Sequence, residues 1–63
     1  MSTIEVNGNL YRVRVADDHV EVQDCSSGEW RADPSDINVF EYLDVEATIR
    51  DIAYSIVVGY VML

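Results

Sequence analysis

His19 and Cys25 are the only histidine and the only cysteine in the sequence. A thiol becomes a nucleophile when a base or a helix N-terminus lowers its pKa. A spacing of six residues does not make these two a dyad. His19 follows a turn and reads as a solvated strand residue. Cys25 directly precedes Ser26-Ser27-Gly28 and reads as an inert small residue. A single cysteine allows no disulfide within the chain and suits a reducing compartment. No C-x-x-C, H-E-x-x-H or calcium-loop spacing occurs, so no metal ligand set is expected. The stretches Asn7-Gly8-Asn9 and Ser26-Ser27-Gly28 lack the lysine of a phosphate loop. Asp17-Asp18 reads as a solvated turn rather than a catalytic carboxylate pair. These residues predict a protein that is not an enzyme and needs no cofactor.

Carboxylates are the abundant chemistry. Twelve Asp and Glu face four bases, giving a formal net charge of -8, and every base is an arginine. Such a charge repels nucleic-acid phosphates and anionic membranes, so neither is an expected direct partner. It speeds encounter with basic proteins. The acids fall in two runs. Asp17, Asp18, Glu21, Asp24 and Glu29 form the first. Asp33, Asp36, Glu41, Asp44 and Glu46 form the second, and neither run is interrupted by a base. Asp33, Asp36 and Asp44 also suit helix starts. Solubility alone is the plain alternative role for all of these acids.

The chain that must position them reads as one small domain with two halves. Residues 3–32 have the period of strands. Ile4 and Val6 alternate with Thr3 and Glu5, and Tyr11, Val13 and Val15 alternate with Arg12 and Arg14. A two-residue turn at Asn7-Gly8 keeps these apolar residues on one face. A second turn at Asp17-Asp18 leads to Val20 and Val22 on the same face. Parity places Arg14 opposite Glu21 and Arg12 near Glu5, with Arg31 beside Glu29 or Asp24. A three-residue loop at Ser26-Ser27-Gly28 predicts a short fourth strand. It brings Trp30 to the inner face near Asp24, and Ala32 near Val22.

Residues 33–63 change period. Asp33-Pro34 has the form of a helix start, and Ile37, Phe40 and Leu43 follow at three-residue spacing. A short helix over 33–43 is expected. A longer helix over 44–63 follows, with Asp44 as its cap and Glu46 in its first turn. Val45, Ile49, Ile52, Ile56, Tyr60 and Leu63 make one apolar stripe. Ala47, Tyr54, Val58 and Val61 make a second stripe on the far side. The last segment also has the β-branched content of a strand, and Gly59 could end the helix early. The expected fold is therefore α+β: an antiparallel meander of three or four strands packed against a C-terminal helix.

The tail has about a dozen apolar positions against the roughly 20 that span a bilayer. The first residues lack the apolar run of a signal peptide. A cytoplasmic protein is expected. In size, charge and α+β pattern the whole chain resembles the small acidic phage proteins that disable host defence, the anti-CRISPR and DNA-mimic inhibitors. That resemblance includes no diagnostic motif, so it assigns no residue. It implies a non-enzymatic inhibitor, acting in host cytoplasm, whose carboxylates imitate a phosphate backbone. The target would be a basic protein, such as a nucleic-acid-binding complex. The alternative is a structural or regulatory subunit that forms a homodimer, or docks, through Tyr54, Val58 and Val61. An acidic protein of a high-salt cell is a third reading.

Overall fold

Three reversals of the chain build a four-stranded antiparallel sheet, whose spatial order follows the sequence. The structure is a computed structural model that describes residues 2–35 and 37–61. The strands are β1 (Ser2–Val6), β2 (Asn9–Ala16), β3 (His19–Gln23) and β4 (Trp30–Ala32). A 3-10 turn at Val39–Glu41 precedes helix α1 (Val45–Ile56), which continues as a π-helical turn over Val57–Val61. The α+β architecture is the one expected.

The first turn has the two-residue form that the sequence implies. Val6 pairs with Asn9, and Asn7 and Gly8 both take positive φ, at 52° and 83°. That backbone matches the right-handed twist of the flanking strands. Ile4 then faces Tyr11, and Ser2 faces Val13. The second turn pairs Ala16 with His19, and Asp17 takes a φ of 59°. It sets Arg14 opposite Glu21, where Arg14 Nε donates to Glu21 Oε1 at 2.7 Å. Arg12 lies opposite Thr3, and Glu5 opposite Leu10. Among the described residues Arg12 makes no ion pair.

The third hairpin differs from expectation by one residue. Gln23 pairs with Trp30, Val22 with Arg31, and Glu21 with Ala32. The Asp24 N–H donates to the Glu29 carbonyl at 2.7 Å, and the Gly28 N–H to the Asp24 carbonyl at 2.7 Å. The loop inside that pair is thus four residues long rather than three. Side chains alternate along a strand, so a slip of one moves each to the other face. Trp30 stands on the outer face, not the inner one. Its ring lies beneath Arg14, whose guanidinium carbon is 4.1 Å from the ring centroid. Arg31 takes the inner-face position, and reaches past the edge to Glu29 at 3.3 Å and Asp24 at 3.7 Å.

The expected helix over 33–43 is also corrected. Asp33 does accept hydrogen bonds from the Ser35 N–H at 2.8 Å and hydroxyl at 2.7 Å. These close a local turn, and among the described residues no helix follows it directly. Only the 3-10 turn forms, capped by Asn38, whose side-chain oxygen accepts from the Phe40 N–H at 2.9 Å. The three-residue spacing of Ile37, Phe40 and Leu43 does not mark a buried face: Ile37 and Leu43 lie outside the 3-10 turn, and Phe40 and Leu43 are exposed. Val39 supplies the turn's buried side chain and is fully enclosed.

The core lies between the sheet's inner face and α1. Val6, Tyr11, Val13, Val20 and Val22 come from the strands, and Ala53, Ile56 and Val57 from the helix. Val45, Ile49, Ile52 and Val61 pack at its margin. The first four residues of the predicted stripe therefore face inward. Tyr60 does not; it is half exposed, and Val61 takes the inward place. The π turn explains the exchange. Its i→i+5 bonding widens the turn, so the residue below Ile56 is five positions on rather than four. Val61 thereby leaves the far stripe, while Tyr54 and Val58 remain exposed on it. Leu63 lies outside the described residues.

Candidate functional site

One end of the molecule gathers acids from three separate segments. The β2–β3 turn carries Asp17 and Asp18. The Asp18 carbonyl accepts the Val39 N–H at 2.8 Å, which fixes this turn against the 3-10 turn and so brings in Glu41. Asp44 then caps α1, its Oδ1 accepting from the Ala47 N–H at 3.0 Å, and Glu46 follows in the first helical turn. Both carboxylates sit at the positive end of the helix dipole, where negative charge is favourable. Ile49 lines a cleft with Ser2, Val13 and Val15, so the N-terminal turns of α1 lie by the same end of the sheet. Among the described residues no arginine pairs with Asp17, Asp18, Glu41, Asp44 or Glu46.

Exposed apolar side chains lie in the same segment. Phe40 is 59% exposed, Tyr42 50%, and Leu43 fully exposed. Only Val39 of this stretch enters the core. Burying one such side chain is worth about 1.5–3 kcal/mol, which a chain this small forgoes here three times over. Aromatic side chains held out among charges are the usual anchors of protein interfaces.

The other acids of the first run are matched. Glu21 is held by Arg14, and its second oxygen lies 3.5 Å from His19 Nε2. Asp24 and Glu29 both face Arg31. The Asp24 carboxyl is held below its ordinary range, first by the Ser26 backbone N–H and then by the Ser26 hydroxyl. Asp33 is lowered in the same way by the N–H and hydroxyl of Ser35. Arg14 and Arg31 border the run in sequence rather than interrupt it, and strand pairing folds them over it. Thus the structure brings together Asp17, Asp18, Glu41, Asp44 and Glu46; Glu21 lies next to them across His19 but is tied to Arg14, and Asp24 and Glu29 are set apart beside Arg31. Asp36 lies outside the described residues. Sequence reasoning missed Phe40, Tyr42 and Leu43, since it used two of them as the inner face of a helix.

His19 and Cys25 flank opposite ends of β3. The imidazole stands between Asp18 at 3.7 Å and Glu21 at 3.5 Å. The Cys25 thiol is exposed, with its sulfur 4.0 Å from the Leu10 carbonyl. Among the described residues no group of three or more His, Cys, Asp or Glu could hold a metal ion. No helix among them is long and apolar enough to cross a membrane. Comparison with protein families, with curated proteins and with solved structures gives no match.

Proposed function

We propose that this chain is a non-enzymatic binding protein whose acidic end docks on a basic protein surface. The carrying observation is the sorting of its charges. Glu21, Asp24 and Glu29 are clasped by Arg14 and Arg31, while among the described residues Asp17, Asp18, Glu41, Asp44 and Glu46 pair with no arginine, and Phe40, Tyr42 and Leu43 stand exposed in the segment that carries Glu41 and Asp44. Lysine and arginine on the partner would meet Asp17, Asp18, Glu41 and Glu46, and an apolar pocket would take Phe40 or Tyr42. Phosphate-binding grooves offer such a surface. Their ligand carries one charge per ~3.4 Å of each strand, the row of charge whose place the carboxylates on the turns and the helix start would take. The proposed action is inhibition: the chain occupies a nucleic-acid-binding surface and excludes the nucleic acid, as the resembled anti-CRISPR and DNA-mimic inhibitors do.

The test begins with a partner captured from a host lysate and purified. Its affinity for the chain should fall when Asp18→Lys and Glu41→Lys are combined, and should fall as salt is raised. Duplex DNA or RNA should compete with the chain for it. Affinity indifferent to both charge reversal and salt would remove the electrostatic mechanism.

The subunit reading retains one specific support. Tyr54 and Val58 are 53% and 46% exposed on the far side of α1. A homodimer or larger assembly that covered them would lose this contact in Val58→Glu.

A further inference from the structure

Strand β1 has no neighbour on its outer edge among the described residues. The opposite edge strand, β4, is only three residues long and is followed by Asp33-Pro34, a usual way to blunt an edge. β1 has five residues and carries no lysine, proline or bulge. Its turn geometry fixes which groups are free. The two-residue turn makes Val6 and Asn9 a hydrogen-bonding pair, and alternation makes Ile4 and Tyr11 the next. Thr3 and Glu5 therefore turn their N–H and C=O groups to the open side.

Beside that edge runs a groove of about 430 Å³ between β1 and α1. Ile4, Val13, Ile49 and Ala53 give it an apolar floor, and Glu46 and Arg50 stand on its helical wall. Among the described residues Arg50 makes no ion pair, although Glu46 and Glu5 line the same groove.

We infer that this edge is a homodimer surface, on which a second copy adds its own β1 in antiparallel register about a two-fold axis at Ile4. This inference shares Glu46 with the acidic end but needs neither its partner nor Asp17, Asp18 or Glu41. Registry narrows the pairing to those in which Thr3 and Glu5 supply the exchanged backbone groups. With Ile4 opposite its own copy, Thr3 faces Glu5 of the partner subunit and both have free backbone groups to exchange. The register two residues further on sets Glu5 against its own copy, and like charges directly opposed are destabilising. The chosen register also places both helices on one side of the joined sheet, running antiparallel. Glu46 and Arg50, one turn apart, then each meet the opposite charge across the axis. A self-complementary patch is what a two-fold interface requires. The two grooves merge around the paired Ile4 side chains, which they cover from water.

The experiment is sedimentation equilibrium of the full chain at physiological ionic strength, with amide exchange followed by NMR. The parent should show a monomer–dimer equilibrium, and the Thr3 and Glu5 amides should gain protection as concentration rises. Thr3→Pro removes an outward N–H and should give a monomer of unchanged circular dichroism. Glu46→Arg and Arg50→Glu alone should each weaken the dimer tenfold or more, and the double exchange should restore it. That restoration separates pairing across the axis from damage to the fold. A parent that stays monomeric at its highest soluble concentration overturns the inference. So does a dimer that survives Thr3→Pro and dissociates with Val58→Glu, since that dimer uses the far face of α1.

Discussion

The guanidinium of Arg14 lies 4.1 Å above the ring of Trp30 while its Nε donates to Glu21 at 2.7 Å. One side chain thus joins strands β2, β3 and β4 on the outer face of the sheet. This contact exists only because the third hairpin closes with Gln23 opposite Trp30. A cation over an indole at an exposed site is worth about 0.5–1 kcal/mol. An exposed ion pair is worth about the same or less. Trp30→Ala and Arg14→Ala should therefore each destabilise the chain, and the double variant should cost less than their sum. A double-mutant cycle by urea denaturation measures the coupling. A coupling of zero would place the indole elsewhere.

Core packing has little reserve. Ile56 is fully buried and joins α1 to the sheet. Ile56→Val should cost about 0.5–1.5 kcal/mol and Ile56→Ala about 2–5 kcal/mol. In a domain of this size each kcal/mol lowers Tm by roughly 4–8 °C. The first variant should fold with a lowered Tm. The second should lose its cooperative melting transition, as read by circular dichroism.

Two glycines should respond in opposite directions. Gly8 has a φ of +83° and open space around a would-be Cβ, so Gly8→Ala is strained by its backbone alone. It should cost about 1 kcal/mol. Gly59 lies in the helical tail without positive φ, and nothing crowds its Cβ either. Gly59→Ala should stabilise by roughly 0.5–1 kcal/mol through helix propensity. Chemical denaturation of the two variants decides both signs.

Acid should loosen the loop ends. Asp24 and Asp33 each have a folded-state pKa below the ordinary 3.8, held there chiefly by the backbone N–H groups of Ser26 and Ser35. A depressed carboxylate pKa means that the unfolded chain binds protons more readily. Its stabilisation is complete above the unfolded value and is lost as pH falls through the folded one. Stability should therefore drop as pH falls through and below the ordinary carboxylate range. Ser26→Ala removes the hydroxyl donor and should raise the Asp24 pKa toward 3.8, as followed by NMR titration of its side-chain carbonyl carbon. An unmoved titration would remove the hydroxyl from the causes.

Asp44 should be treated as a structural acid before a docking one. Its side chain satisfies the Ala47 N–H and its carbonyl accepts from the Thr48 hydroxyl at 2.8 Å. Asp44→Ala should cost about 1 kcal/mol, and Asp44→Ser should keep most of the cap while removing the charge. Asp44→Ser thus isolates the electrostatic role. Partner affinity should fall with it while Tm changes little.

Much of the fold is legible because it depends on local rules. Period two in residues 3–22, positive-φ residues at Asn7-Gly8 and a capping Asp44 each act within a few positions. They set two hairpins, the Arg14–Glu21 pair and the start of α1 without reference to the rest of the chain. The acid runs are equally plain in the sequence. Which acids remain unmatched is not, because Arg14 and Arg31 reach Glu21, Asp24 and Glu29 through strand pairing rather than through sequence proximity.

The sequence by itself determined an acidic α+β chain whose apolar C-terminal segment covers a sheet. Only the tertiary structure decided the faces of Trp30, Arg31, Tyr60 and Val61. One extra residue in the loop after Asp24 turned Trp30 outward, and one widened turn after Ile56 exchanged Tyr60 for Val61. The reason is the same at both places. Side-chain direction has a period of two in strands and near 3.6 in helices, so a shift of one position carries a residue from core to solvent. Loop closure and packing set that shift, and no short stretch of sequence contains either.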